Sequence, residues 1–464
     1  MYENFCIYHI GLDDFDLLSY GCTTHVATYL LHSLAKRFSS IVFIDYPNLV
    51  RLNPSIPWKT RGNGAIAIRI AMECTDLNNL LEAAEDIIDE YYEKYGVRTK
   101  DVVSSDREPG LVVVRNGIVN DMGSLYITAL TDVLLPEIVK KKIDKYGREN
   151  IVVSKRYCGR GIVGAAASVG WIAIDSDYTY ELLVYRSEKF YSLDRCVNEE
   201  SVKYFDSITK DRTFNNIDVD SNRILITSHG RDPILYGVRG EDPEVLLKAL
   251  DIIRVCEPIS SWTIFRTNQA TDAHAIDRSV SSLRVYRTGK IRVTISSKPS
   301  IGMGGTVIIN GFDATGSITL AFFRPSYLNR YASMLIPGDV IEANGHVKPW
   351  NIGPVFHVEK FSVLKLAPLY RCKAPRCPYC RKRLTKMGRG KGYKCDKCGY
   401  SVINPDLECE YIERKIRLGL YIPPPRALKH LIKPIERYGK EKYRHRYPIE
   451  LKLSQITKIL ETSI

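Results

Sequence analysis

Residues Gly11 to Ala27 read GLDDFDLLSYGCTTHVA, placing Asp13, Asp14 and Asp16 within four positions and Thr23 and Thr24 shortly after. The acids follow a predicted core strand, FCIYHIGL, at a glycine where the chain can turn and let the carboxylates converge. Hard oxygen ligands so arranged suit Mg²⁺, which typically reaches a nucleotide through one or two carboxylates plus phosphate oxygens. The two threonines open the next predicted helix. Free backbone N–H groups and the helix dipole there favour an anion, including a phosphate carried on a threonine. Metal ligands, a hydroxyl acceptor and a positive helix end together compose a phosphoryl-transfer site. The same residues also suit a polar turn in which Asp16 or Thr23 caps the helix, and spacing leaves both readings open.

A second loop, IPWKTRGNGA, sets Lys59 and Arg61 beside Gly62 and Gly64, which lets a backbone approach phosphate while cations neutralise it. Tyr20 and Trp58 are aromatic residues able to stack on a base, and core packing is the favoured reading for both. The segment RTNQATDAH, Arg266 to His274, is a polar knot at a strand end in which His274 reads as structural. No G-x-x-x-x-G-K-[ST] motif occurs. The glycines of CGRGIVG imitate a dinucleotide fingerprint, but the following helix is too short for a full crossover, and Ala165, Ala166 and Ala167 point to close helix packing.

The most specific spacing is RCPYCRKRLTKMGRGKGYKCDKCGY. Cys377 and Cys380 form one C-x-x-C knuckle, and Cys395 and Cys398 another. Two knuckles complete the tetrahedron of a structural Zn²⁺, and four thiolates leave no open position for catalysis. Cys372 lies outside the spacing and is expected to be a bystander. Cys6, Cys74 and Cys256 sit in apolar segments and are expected to be buried thiols.

These residues must be positioned by several domains, since 464 residues exceed one core. The apolar stripe Val26, Leu30, Leu34 and Phe38 predicts a helix after the acidic turn, followed by strands at IVFIDY and AIAIRIAM and the helix LNNLLEAAEDIIDEYYEKYG. From Tyr178 to about Thr271 the order strand, helix, two strands (NRILITS, ILYGVRG), helix, strand predicts a ferredoxin-like domain. About five β segments between roughly 280 and 366 predict a small barrel of the OB or SH3-like kind. Beyond residue 366 lie 24 of the 66 Lys+Arg and 9 of the 53 Asp+Glu, a net of +15, while the preceding residues total −2. That localised charge predicts a polyanionic partner, nucleic acid above all. Neither a targeting peptide nor a membrane span is readable, so a cytoplasmic location is expected.

In this order GLDDFD with GCTTHVA, RLNPSIPWKTRGNGA, SDREPGLVVV, GIVGAAASVGW, SHGRDPILYGVRGE, FRTNQATDAH, the barrel with its PGD turn, the cysteine ribbon and LKHLIKPIERYG resemble the archaeal tRNA-isoleucine 2-agmatinylcytidine synthetase family across nearly the whole chain. The resemblance implies a kinase-like ATP-binding catalytic domain over 1–175, a ferredoxin-like domain over 176–275, an OB-fold over 276–366, a zinc ribbon over 367–402 and a basic tRNA-binding extension over 403–464. It implies a mixed α/β and α+β multidomain ligase with ATP, Mg²⁺ and a structural Zn²⁺. Its substrates are agmatine and an isoleucine tRNA with a CAU anticodon, made competent to decode AUA. By resemblance Thr23 is autophosphorylated and Asp13, Asp14 and Asp16 bind metal. ATP is consumed to AMP and pyrophosphate overall, the cytosine 2-oxygen is phosphorylated, and agmatine displaces that phosphate. Thr24, Lys59, Arg61, Gly62 and Gly64 complete the expected nucleotide contacts. The chain departs from the family at Phe15, Leu17, Leu18 and Tyr20, all inside the acidic loop, where threonine, small polar residues and glycine are usual. Two rival readings remain at this point, a noncatalytic RNA-binding protein and an RNA kinase without amine transfer.

Overall fold

A computed structural model describes residues 5–16, 21–59, 62–95, 108–228, 230, 232–351, 353–443 and 447–460. In chain order the first part comprises β1 (Phe5–Asp13), α1 (Thr23–Arg37), β2 (Asn48–Arg51), β3 (Gly64–Glu73), α2 (Leu77–Lys94), β4 (Gly110–Arg115), α3 (Val119–Thr131), β5 (Ile151–Cys158) and α4 (Ile162–Gly170). Strand β1 pairs antiparallel with β3 on one side and β4 on the other, so its far end, Asp13, lies opposite Gly110. Tyr8, Ile10 and Leu12 share a core with α1 and α2. The opposite face packs Ala67, Val112 and Val114 under α3 and α4. Both faces being covered explains why β1 and β3 read as nearly continuous apolar runs. The strand expected at IVFIDY is only Val42–Phe43, and the longer pairing forms just after it, in Asn48–Arg51.

The next part is β6 (Thr179–Arg186), α5 (Glu199–Thr209), β7 (Thr213–Phe214), β8 (Ile234–Gly240), α6 (Pro243–Ile252) and β9 (Ile259–Thr267). Its strands align β9-β6-β8-β7, all antiparallel. The residues NRILITS supply only Arg223–Ile224 to a separate two-stranded ladder, and β7 takes their expected place in the sheet. Strand β9 also pairs parallel with β2 through Arg266 and Thr267, so the two parts share one sheet, which reaches eleven strands with Thr457–Ile459 from the end of the chain.

Then β10 (Thr288–Ile295), β11 (Val307–Asp313), β12 (Gly316–Phe322), β13 (Val340–Trp350) and β14 (Gly353–Lys365) pair in the order β10-β13-β14-β12-β11, and β10 meets β11 to close a five-stranded barrel. Its interior is filled by apolar side chains such as Ile291, Val307, Leu320, Ile341 and Phe356. Two further strands, β15 (Leu369–Lys373) and β16 (Glu408–Ile412), form the stem of the cysteine ribbon. Beyond the stem, β17 (Gly419–Tyr421) joins the barrel at β14 and β18 (Thr457–Ile459) pairs with β9. The chain thus returns from the barrel to the large sheet. Among the described residues no helix is long and apolar enough to cross a membrane.

One expectation is corrected here. Cys6, Cys74 and Cys256 are not free thiols, because Cys6 bonds Cys74, Cys196 bonds Cys256, and the supposed bystander Cys372 bonds Cys409. Antiparallel pairing brings them together: Cys372 lies directly opposite Cys409 in the stem, and Cys6 lies opposite Met72, two residues before Cys74. The basic tail, for its part, is largely engaged within the molecule. Arg414 pairs with Asp339, Arg426 with Asp218, Lys429 with Glu359, and Arg437 and Lys442 with Glu241. The tail is a strap whose cations pair with acids of the barrel and of the part running from β6 to β9. In the ribbon, by contrast, Arg381, Lys382, Lys386, Arg389, Lys391 and Lys394 are exposed.

Candidate active site and cysteine ribbon

The acidic loop is held against the start of α1. Cys22 precedes the helix in an extended conformation, so Thr23 and Thr24 occupy its first two positions, as expected. Phe15 donates its backbone N–H to Thr23 Oγ1 at 3.2 Å, which fastens the threonine hydroxyl between Asp14 and Asp16 along the chain. Phe15 itself is fully buried, packed edge-on against Tyr157, and its carbonyl accepts the Tyr92 hydroxyl at 3.1 Å. The departure at this position therefore anchors the loop with an aromatic plug. Leu17, Leu18 and Tyr20 lie outside the described residues, as does Arg61.

Asp14 adopts φ of 62°, the left-handed region, which turns its backbone N–H back onto Asp13 Oδ1 at 2.8 Å. Its own Oδ2 accepts the Glu108 N–H at 3.0 Å. Asp13 lies over the first turn of α4, where a Cβ on Gly164 would stand 1.9 Å from Asp13 Oδ2. Only glycine admits the carboxylate there. Burial first, and then the neighbouring Asp14, push the Asp13 carboxyl well above the usual carboxylate range. Two adjacent, half-buried carboxylates that repel one another fit a divalent cation, which would relieve both costs.

The three acids do not converge as the sequence reading expected. Among the described residues, Cys377, Cys380, Cys395 and Cys398 are the one group of three or more metal-binding side chains whose atoms gather closely. Asp13 and Asp14 line a small cavity of about 60 Å³ with Lys59, Trp58, Arg160 and Gly164. Asp16, Thr23 and Thr24 instead line a cavity of about 440 Å³ with Gly62, Gly64 and residues of β6 and β8. Asp13 and Asp14 thus share one cavity, and Asp16, two residues further along the chain, faces the other. Trp58, expected in the core, is 40% exposed, with the Arg160 guanidinium 5.8 Å from its ring centre.

The larger cavity holds residues that the sequence reading passed over. Glu181 is buried on β6 and accepts Arg239 Nε at 2.9 Å and a close bond from Gln269, with Arg51 3.9 Å away. Burial alone would raise Glu181, but Arg239 and Arg51 hold its carboxyl below the usual range. Arg51, mainly through burial, is lowered to about 10. The Arg51 charge, then burial, keep His430 well below the ordinary histidine value and therefore neutral. Gly62 makes room for this cluster, since a Cβ there would meet Arg51 Nη1 and the His430 ring at 2.7 Å. A charged residue inside the apolar strand YTYELLVYR was the one signal in the sequence for Glu181. His430 reaches the cavity from the returning strap, nearly 250 residues away in sequence. His274 is structural as expected, buried with Nε2 2.7 Å from Glu359.

In the ribbon, Cys377 Sγ lies 3.4 Å from Cys398 Sγ and Cys380 Sγ 3.3 Å from Cys395 Sγ. Four sulfurs mutually within 4.8 Å fit a tetrahedral Zn²⁺ with no open coordination position.

Comparison with known proteins accounts for this arrangement. Family models described as the TiaS TCKD domain, the TiaS FLD domain and the TiaS C-terminal zinc ribbon domain match residues 9–155, 159–274 and 374–416. A protein of Staphylothermus marinus named as TiaS, the 2-agmatinylcytidine synthetase of an isoleucine tRNA, is 40% identical over 97% of this chain and 97% of its own length. Its namesake in Saccharolobus islandicus is 36% identical over 92% of each. Among solved structures, a complex of TiaS with its isoleucine tRNA and ATP superposes with a TM-score of 0.79 at 31% identity, covering 93% of this chain and 97% of that one. A complex of TiaS with the same tRNA, AMPCPP and agmatine gives 0.77 at 30% over the same shares. From the acidic loop to the cysteine ribbon, the chain belongs to the TiaS family.

Proposed function

We propose that this protein is an ATP-dependent C–N ligase that joins agmatine to the 2-carbon of the wobble cytidine of isoleucine tRNA with a CAU anticodon, giving 2-agmatinylcytidine for AUA decoding. The observation that carries the reading is the Thr23 hydroxyl, held at a helix N-terminus against a loop of three acids. A cytosine 2-oxygen is a poor leaving group, and phosphorylation makes it a good one. That oxygen attacks a phosphoryl group derived from ATP. The agmatine amine then attacks C2, the C2–O2 bond breaks, O2 departs within the phosphate, and the amine loses a proton to solvent.

Asp13 and Asp14, with Asp16 beside Thr23, are the acids for Mg²⁺, which when bound neutralises phosphate charge. Thr23 is the residue that carries phosphate, and the first turn of α1, including Thr24, receives the anion. Lys59 adds a cation beside Asp13 and Asp14, while Arg51 and Arg239 orient polar groups in the larger cavity. Gly62 and Gly64 let the loop pass over Arg51, and Arg61, outside the described residues, is the further cation expected from the sequence. The target base leaves its stack to enter the site. Residues 1–175 form the kinase-like unit, 176–275 the ferredoxin-like unit, 276–366 the OB-fold, 367–402 the zinc ribbon and 403–464 the extension that straps them, acting in the cytoplasm.

Incubating the protein with the tRNA, ATP, Mg²⁺ and agmatine should add to the wobble cytidine the mass of agmatine less one water, read by mass spectrometry of RNA fragments. A phosphorylated cytidine persisting in the presence of agmatine would favour an RNA kinase, and an unchanged cytidine with a folded protein would remove the ligase reading.

A further inference from the structure

The barrel carries a cleft that the proposed chemistry does not use. A cavity of about 760 Å³ lies where β12 and β14 of the barrel, the strap and the Arg223–Ile224 ladder meet, and it shares no lining residue with the two active-site cavities. Phe323 and His357 line it at the barrel, their ring centres 4.6 Å apart, and Trp350, beside the lining, stacks on Phe323 at 17° with ring centres 6.0 Å apart. All three are half-buried. Tyr327 lies at the rim with φ of 59°, between the guanidinium groups of Arg330 and Arg426, at 4.9 and 4.6 Å.

The charge around these rings is positive. Arg223, Arg324 and Arg330 are exposed and make no ion pair among the described residues. The acids nearby are spoken for: Glu359 accepts His274 and Lys429, and Asp218 accepts Arg426. A half-open aromatic stack ringed by cations suits a flat apolar ring attached to an anion, which is the chemistry of an unpaired nucleotide. The volume falls within the ~300–1,000 Å³ common to ligand sites.

The strap fixes which nucleotide. Lys429 lines this cleft, and its chain neighbour His430 lines the cavity of Thr23, so adjacent residues of the strap face the two cavities. We propose that the cleft stacks an unpaired nucleotide flanking the base that enters the active site, with Phe323, Trp350 and His357 as the platform and Arg324 and Arg330 for its phosphates. This rests on the reading that the target base belongs to a tRNA loop and enters the neighbouring cavity.

The test is binding of the full-length protein, without ATP or agmatine, to an anticodon stem-loop hairpin and to the same hairpin made abasic at the flanking positions. Phe323→Ala and Trp350→Ala should each weaken the intact hairpin roughly tenfold and the abasic hairpin hardly at all. Phe323→Tyr should retain affinity, and the exposed change Arg324→Glu should weaken both hairpins in a salt-dependent way. Quenching of tryptophan fluorescence by the intact hairpin should be smaller in Trp350→Phe than in the parent. Equal losses on both hairpins, or variants that bind as well as the parent, overturn the proposal. Because no catalytic step is read, a failure of the ligase reading shows separately, as unmodified tRNA with hairpin binding intact.

Discussion

The cysteine ribbon and the acid–threonine site both gather ionisable side chains, but over very different lengths of chain. The ribbon draws its four ligands from Cys377 to Cys398, on two local knuckles. The larger cavity of the other site runs from Asp16 to His430, through strands of two sheet regions and a returning strap. A local site depends on its own turns and on the ion it holds. A distributed site depends on the whole fold, so it is sensitive to changes that touch none of its chemistry.

The largest expected effect is at the threonine. Thr23→Ala and Asp14→Asn should each lower ligase turnover by roughly 10³-fold or more while tRNA affinity stays within about twofold, measured by single turnover and filter binding. A proportional loss of tRNA affinity would mean that this region is a binding surface.

Next comes Gly164→Ala, which alters no functional group but places a methyl on Asp13 Oδ2. Displacing that carboxylate should cost about 10²-fold in turnover, with about 1–3 kcal/mol of stability lost by denaturant unfolding. Activity near the parent level would show that Asp13 need not lie where the helix turn holds it.

Chelation sharpens the other side of the comparison. Removing zinc should expose the ribbon amides to rapid hydrogen exchange while the barrel and large sheet stay protected. The KM for tRNA should rise roughly tenfold with kcat little changed, because the exposed cations of the ribbon would lose their arrangement. Global unfolding on chelation would contradict a self-contained ribbon.

The smallest effect is a pH dependence. Asp13 has a folded-state pKa above its unfolded value of about 3.9, so the folded state holds that proton more tightly. Stability contributed by the protonated form is present below the unfolded value and is lost as pH rises toward the folded one. Asp13→Asn should therefore gain on the parent as pH climbs above about 4, by a few degrees in Tm, and Mg²⁺ should narrow the gap by stabilising the parent alone. A gap that does not vary with pH would show that Asp13 ionises normally.

Much of the fold was readable because its signals are short-range. The stripe Val26, Leu30 and Leu34 marks α1, and all three are buried. The barrel strands and both cysteine knuckles follow from alternation and spacing. Phe15 was less legible: a large apolar residue in a polar loop looked like a disturbance until Tyr92 and Tyr157 surrounded it. The joining of β2 to β9, the bonded cysteine pairs and the internal use of the tail's cations had no local signal, since each partner lies tens to hundreds of residues away.

The amino-acid sequence by itself determined the residue types and their local order: three acids before two threonines at a helix start, two C-x-x-C knuckles, and a basic end. Tertiary structure alone decided that Asp13 and Asp14 face one cavity and Asp16 another, and that Arg51, Glu181, Arg239 and His430 meet. The physical reason is range. Helix periodicity, turn chemistry and knuckle spacing act over a few residues, whereas strand pairing, burial and ion pairing act between surfaces that come together only when the chain has folded.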